Sequence, residues 1–270
     1  MGVDYFVNRP CPLQRAQTAT GFLQTMMHRR QCKVVTASEL YLGEQLVQLR
    51  GGRSLELAPV QPDPPMIATS ATAAQSSAQL TAIERRLAPW AKHCDGCPTR
   101  VHDEPFGCYG YISYPIQPAT EHWLVSRALA MGPAALIAVQ MLDRLGVTGA
   151  QVAQLRTRDS MFSSREPVVA GWKMADGEFW PLTSDLLIEL ALFPAEARAQ
   201  VFVPAAVLLG LVAATDATAD ALRSWVSFPR TLVARLIVPA ADASASGGFI
   251  PYLRAIVLAA RSNAALIVDR

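Results

Sequence analysis

"HCDGCPTRVHDEPFGCYGYISYPI", residues 93–116, holds three of the five cysteines and two of the four histidines of the chain. The spacing is Cys94-x2-Cys97-x10-Cys108. A Cys-x-x-Cys pair at a turn brings two thiolates to one tetrahedral ion, because the intervening backbone folds into a knuckle. Gly96 suits such a turn by tolerating positive φ. Gly107 and Gly110 lie close to Cys108 and permit a second tight turn there. Cys94, Cys97 and Cys108 are therefore expected as metal ligands, with zinc as the metal. His102 is the expected fourth ligand and Cys11, in the rigid "RPCP", the alternative. His93 adjoins Cys94 and is expected to point away; Cys32 lies far off in sequence.

Three thiolates and one further ligand would also hold an iron–sulfur cluster, which is the alternative cofactor. A dithiol redox centre is a third reading. "CDGCP" follows a helical pattern, however, and not the strand of a thioredoxin-like motif. Buried thiols packed as small hydrophobes in a turn are the bland reading.

The same stretch marks a change in the character of the chain. Before it, "VDYFVN" (Val3–Asn8) reads as a strand, and "LQRAQTATGFLQTMMHRR" has helical spacing. "EQLVQLR", Gly51-Gly52 and "RSLELAPV" read as a hairpin, because alternating runs flank a Gly-Gly pair. Residues 59–79, Pro-rich and then small and polar, read as an exposed loop. A helix is expected from near Ser77 through "AQLTAIERRLAPWAKH", with Pro89 shortening it. "YGYISYPI" reads as a strand, Tyr109 and Tyr111 on one face, Ile112 and Tyr114 on the other.

After Pro118 the periodicity is helical. Thr120 is the expected cap of "ATEHWLVSRALA". Pro133 and Gly146 bracket the next helix. "VTGAQVAQLRTRDSMF" reads as another. Val168 to Trp180, turning at Asp176-Gly177, reads as a hairpin. "TSDLLIELALF", "AAVLLGLVAATD", "TADALRSWVSF", "RTLVARLIVPA" and "FIPYLRAIVLAARSNAALIV" all read as helices. The expected fold is α+β and predominantly helical. A small N-terminal β-containing part with the Cys-rich knuckle (1–118) precedes a mainly helical remainder with one hairpin (119–270), the two integrated or separate.

The chain is 51% hydrophobic and 17% charged over 270 residues, so a packed core is expected. A net charge of +2 without a dense Lys/Arg run argues against nucleic acid as a partner. The most apolar run, Val201 to Ala214, is too short to span a bilayer and contains Pro204. No leader is read at the N-terminus, and an odd cysteine count points to reduced thiols in a cytoplasm. Excess apolar helix faces (Leu186, Leu187, Leu190, Leu192, Phe193) point to internal packing, with a protein partner or self-association in addition.

No nucleophile elbow, P-loop, dinucleotide fingerprint or His-Glu-x-x-His is present. "HDE" (His102–Glu104) and Glu121-His122 put carboxylates beside imidazoles, but adjacent residues rarely converge on one atom. Ser160, Ser163 and Ser164 read as a polar helix end; Arg156, Arg158 and Arg165 read as a solvated face. The functional expectation is a metal-stabilised binding or regulatory protein without its own catalytic centre. The alternative is an enzyme that uses the Cys94/Cys97/Cys108 region as a catalytic metal site or dithiol.

Overall fold

A computed structural model of the chain describes residues 2–51, 73–102, 105–158, 161–192, 199–239 and 248–269. The fold is α+β and predominantly helical. Two compact units are present: Met1–Arg9 with Pro98–Arg270, and Pro10–Cys97.

The unit Pro10–Cys97 is helical. A short helix α1 (Pro12–Ala16) has Pro12 in its first turn, where a missing N–H costs nothing. α2 (Ala19–Gly51) packs along α3 (Ala73–Ala91). Phe22, Leu23, Met26 and Cys32 from α2, with Ile83 and Leu87 from α3, are buried. Arg29 pairs with Glu84 at 3.2 Å across the two helices.

The hairpin expected around Gly51-Gly52 is corrected in its first half: residues 44–51 are helical and end α2. Alternation over so few residues does not separate strand from helix. Leu42, Leu46 and Leu49 also stand at i, i+4 and i+7, and Glu44, Gln45, Gln48 and Arg50 are strong helix formers. A Gly pair after such a run stops a helix as well as it turns a hairpin. The expected return strand, 53–60, lies outside the described residues, as do 59–72 of the expected loop. Residues 73–79 of that loop belong to α3, which begins before Ser77 and continues past Pro89.

The larger unit holds a three-stranded antiparallel sheet, order β2-β1-β5, of β1 (Gly2–Asn8), β2 (Tyr109–Ser113) and β5 (Ala265–Asp269). Val3, Tyr5 and Val7 share one face of β1 and are buried. Helix α11 (Phe249–Arg261) covers that face, and Tyr252 meets Tyr5 edge-on at 4.8 Å. Gly110 pairs with Tyr5, and a Cβ there would stand 2.4 Å from the Tyr5 hydroxyl oxygen.

The expectation that helix continues to Val268 is corrected. Asn263 has φ 49°, its N–H donates to Ala260 O, and the Ala264 N–H donates to Ala259 O. This is a Schellman stop with Asn at the left-handed position. β-branched Ile267 and Val268 then pair with β1.

Around the sheet lie α4 (Pro118–Leu129), α5 (Pro133–Asp143), α6 (Ala150–Arg158), α7 (Ser184–Leu192), α8 (Ala199–Leu208), α9 (Ala219–Ser227) and α10 (Pro229–Arg235). Thr120 does not cap α4. The cap position is Gln117, because Pro118 takes the first helical place and puts Thr120 inside the turn. Thr183 does cap α7, accepting from the Leu186 N–H at 3.2 Å, and Thr218 caps α9. Leu186, Leu187, Leu190 and Leu192 pack internally with Val203, Val207 and Leu208. Each such burial contributes roughly 1.5–3 kcal/mol. Phe193 lies outside the described residues.

The second hairpin stands as read: β3 (Val169–Lys173) pairs with β4 (Phe179–Thr183). Gly177, with φ 88°, donates to Met174 O and closes the turn. Gly171 faces Pro181, and any Cβ there would fall 2.1 Å from Trp180 O.

Candidate functional site

Cys94 and Cys97 form the turn that the spacing predicts. Helix α3 passes into a 3-10 turn over Lys92–Cys94, and the Cys97 N–H donates to Cys94 O at 3.2 Å. Asp95 has φ −66° and ψ 126°, and Gly96 has φ 68°. These are the central angles of a type II turn, whose third residue must take positive φ. Glycine at 96 supplies it without strain. Both thiols are half-buried, and none of the five cysteines is in a disulfide.

Cys94 and Cys97 close the helical unit, whereas His102 and Cys108 belong to the unit that begins at Pro98. The Val101 and His102 N–H groups both donate to Gly107 O, and Tyr109 N–H donates to Phe106 O. Cys108 O accepts from Val7 N–H, so its backbone extends the β1–β2 pairing. Cys11 caps α1, its sulfur accepting from Gln14 N–H at 3.4 Å. Cys32 is buried in α2. Among the described residues, no three His, Cys, Asp or Glu side chains are grouped as a metal centre needs.

The other candidates separate clearly. Tyr109 is buried and donates to the Asp4 carboxylate, while Tyr111 is 42% exposed; Ile112 is fully buried. Glu121 is buried and the adjacent His122 exposed, so that pair does not converge. Ser163 and Ser164 donate to backbone carbonyls of Ile116 and Glu166. Asp103, Glu104 and Ser160 lie outside the described residues.

Arg156 is not on a solvated face. Only 5% exposed, it donates to Asp185 Oδ1 (Nε 2.9 Å, Nη2 2.5 Å), to Glu121 Oε1 (2.5 Å) and to Ser164 O (2.9 Å). Its guanidinium lies 3.9 Å from the Phe162 ring centroid. One cation thus ties α4, α6, α7 and the segment after α6. Burial pushes the Glu121 carboxyl up; the Arg156 hydrogen bond and charge pull against that without cancelling it. Glu121 Oε2 is buried without a hydrogen bond among the described residues. Arg158 and Arg165 are exposed, as read.

A cleft of about 310 Å³ lies between the C-terminal end of α5 and the β4–α7 segment. Asp143, Val147 and Thr148 line one side, and Glu178, Phe179, Trp180 and Pro181 the other. The Asp-Gly turn and the aromatic pair were visible locally, but nothing in the sequence placed α5 opposite them.

No helix among the described residues is long and apolar enough to cross a membrane; α4 and α5 reach the length only as a pair bent by 105°. The chain matches no family model, and no curated protein and no solved structure matches it.

Proposed function

We propose that this is a metal-stabilised binding or regulatory protein, with zinc as the metal and Cys94 and Cys97 as its first two ligands. The observation that supports this reading is the type II turn across Cys94–Cys97, with Gly96 at φ 68°. It holds two half-buried thiols on one short loop, the arrangement that a tetrahedral ion requires of a Cys-x-x-Cys pair. Cys108 and His102 are the next ligands in the chain, and Cys11 is the alternative. Zinc would gather these ligands as it binds, so its affinity would add to folding stability. An iron–sulfur cluster on the same thiolates is the alternative cofactor.

The rival reading is an enzyme with a catalytic metal or a dithiol in this stretch. Low-pKa redox pairs sit at helix N-termini, where the dipole favours the thiolate. Cys94 instead follows the end of a helix, which favours the metal reading over the dithiol. The test is elemental analysis of purified protein together with Cys94→Ser, Cys97→Ser, Cys108→Ser, His102→Ala and Cys11→Ser variants. The expected result is about one zinc per chain, lost in Cys94→Ser and Cys97→Ser, with a lower unfolding midpoint after chelation. Fully folded wild-type protein without zinc or iron, whose midpoint does not respond to chelator, would overturn the proposal.

A further inference from the structure

Among the described residues, the cleft between α5 and β4 is lined by two carboxylates, Asp143 and Glu178, and by no cationic side chain. Neither carboxylate is held by an ion pair or side-chain hydrogen bond among the described residues. Asp143 is the last residue of α5 and Arg144 is the helix C-cap. The wall opposite is aromatic: Trp180 is half-buried and Phe179 is 53% exposed, among the larger exposed apolar side chains of the protein. An aromatic face beside carboxylates attracts a cation twice, through charge and through the ring quadrupole.

Other uses of this wall are disfavoured. The Met174 N–H donates to Glu178 O and the Ser184 N–H to Val168 O, so in this register Trp180 and Leu182 bond to β3 and the backbone groups of Phe179, Pro181 and Thr183 point away from it. Pro181 has no N–H to offer there, so a partner strand would meet an interrupted ladder.

We propose that this cleft binds an arginine side chain presented by a partner protein. The guanidinium stacks on Phe179 or Trp180, and Asp143 and Glu178 accept its N–H groups. Guanidinium is planar, carries several donors and stacks on rings, which suits a lining of two aromatic side chains and two carboxylates better than the compact ammonium of lysine does. The volume of about 310 Å³ accommodates one long side chain with neighbouring backbone. This inference is independent of the cysteine turn.

The test is titration of an N-acetyl-Gly-Arg-Gly-amide peptide into the full chain, followed by amide chemical shifts. The citrulline peptide, the lysine peptide and agmatine serve as comparison ligands, and the variants are Asp143→Asn, Glu178→Gln, their double and Phe179→Ala. All three side chains are exposed, and a thermal melt confirms that each variant is folded. The expected result is shifts confined to the α5 end and β4, with affinity about tenfold lower for citrulline. Each carboxylate variant should lose about threefold, and rising salt should weaken binding. Equal binding of the citrulline peptide, unchanged binding in the double variant, or no shift at the cleft would overturn the proposal. Agmatine binding more tightly than the peptide would assign the cleft to a free amine and overturn the partner assignment.

Discussion

Arg156→Met tests how the helical layer is held together. Methionine roughly keeps the length of the side chain and removes its charge. The Glu121 and Asp185 side chains, 1% and 7% exposed, then remain buried without their cation. Removing one member of a buried ionic cluster costs about 3–5 kcal/mol, because the remaining charge keeps its desolvation penalty without its compensation. Against a total stability of about 5–15 kcal/mol, that is a third or more. The loss should depend on pH. Burial already pushes the Glu121 carboxyl up, and without Arg156 the push is greater. A carboxyl whose folded value lies above its unfolded value, roughly 4.3 for Glu, binds more protons folded than unfolded. Its protonation stabilises the fold at low pH, and that stabilisation is lost as pH rises through the folded value. The variant should therefore be weakest at pH 7.5 and partly recovered at pH 5. Urea unfolding followed by circular dichroism at the two pH values measures this. A loss below about 1 kcal/mol, or one equal at both pH values, would refute the reasoning. Glu121→Gln in the Arg156→Met background should restore part of the loss at pH 7.5 and flatten the pH dependence.

Two further substitutions probe other packing claims. Tyr5→Phe removes a fully buried hydroxyl that has no hydrogen-bond partner among the described residues; it should leave stability unchanged or raise it by up to about 1 kcal/mol, and a loss above that in chemical unfolding would show that the hydroxyl is satisfied. Gly171→Ala places a Cβ 2.1 Å from Trp180 O; the hairpin should lose about 1–3 kcal/mol, read as a lower melting temperature, and an unchanged melt would mean that the strands separate without cost.

The elements read correctly are those that short-range chemistry specifies. Val3–Asn8 is a β-branched, aromatic run, the Asp176-Gly177 turn sets the second hairpin, and Pro133 stands in the first turn of its helix. The errors fall where two local readings compete. "EQLVQLRGG" satisfies both an alternating and a helical period, and the helix wins on the propensities of Glu, Gln, Leu and Arg. At the C-terminus, "RSNAALIV" hides its stop in a single residue. Asn263 takes the left-handed conformation that ends α11, and only pairing with β1 makes the following residues a strand. No window of sequence contains that pairing.

The site divides in the same way. The turn at Cys94–Cys97 is legible because Gly96 and the Cys spacing are local, and a type II turn needs nothing else. The Arg156 cluster is not legible, since its carboxylates stand 35 and 29 residues away along the chain. Glu121-His122 shows why adjacency misleads. Neighbouring positions on a helix are turned about 100° from each other, so one side chain enters the core and the other meets water. Glu121 faces inward and is held by Arg156, and His122 cannot share a substrate atom with it. The carboxylate that looked available for acid–base chemistry is therefore committed to structure. Asp143 and Glu178, unremarkable in the sequence, stand exposed at the cleft.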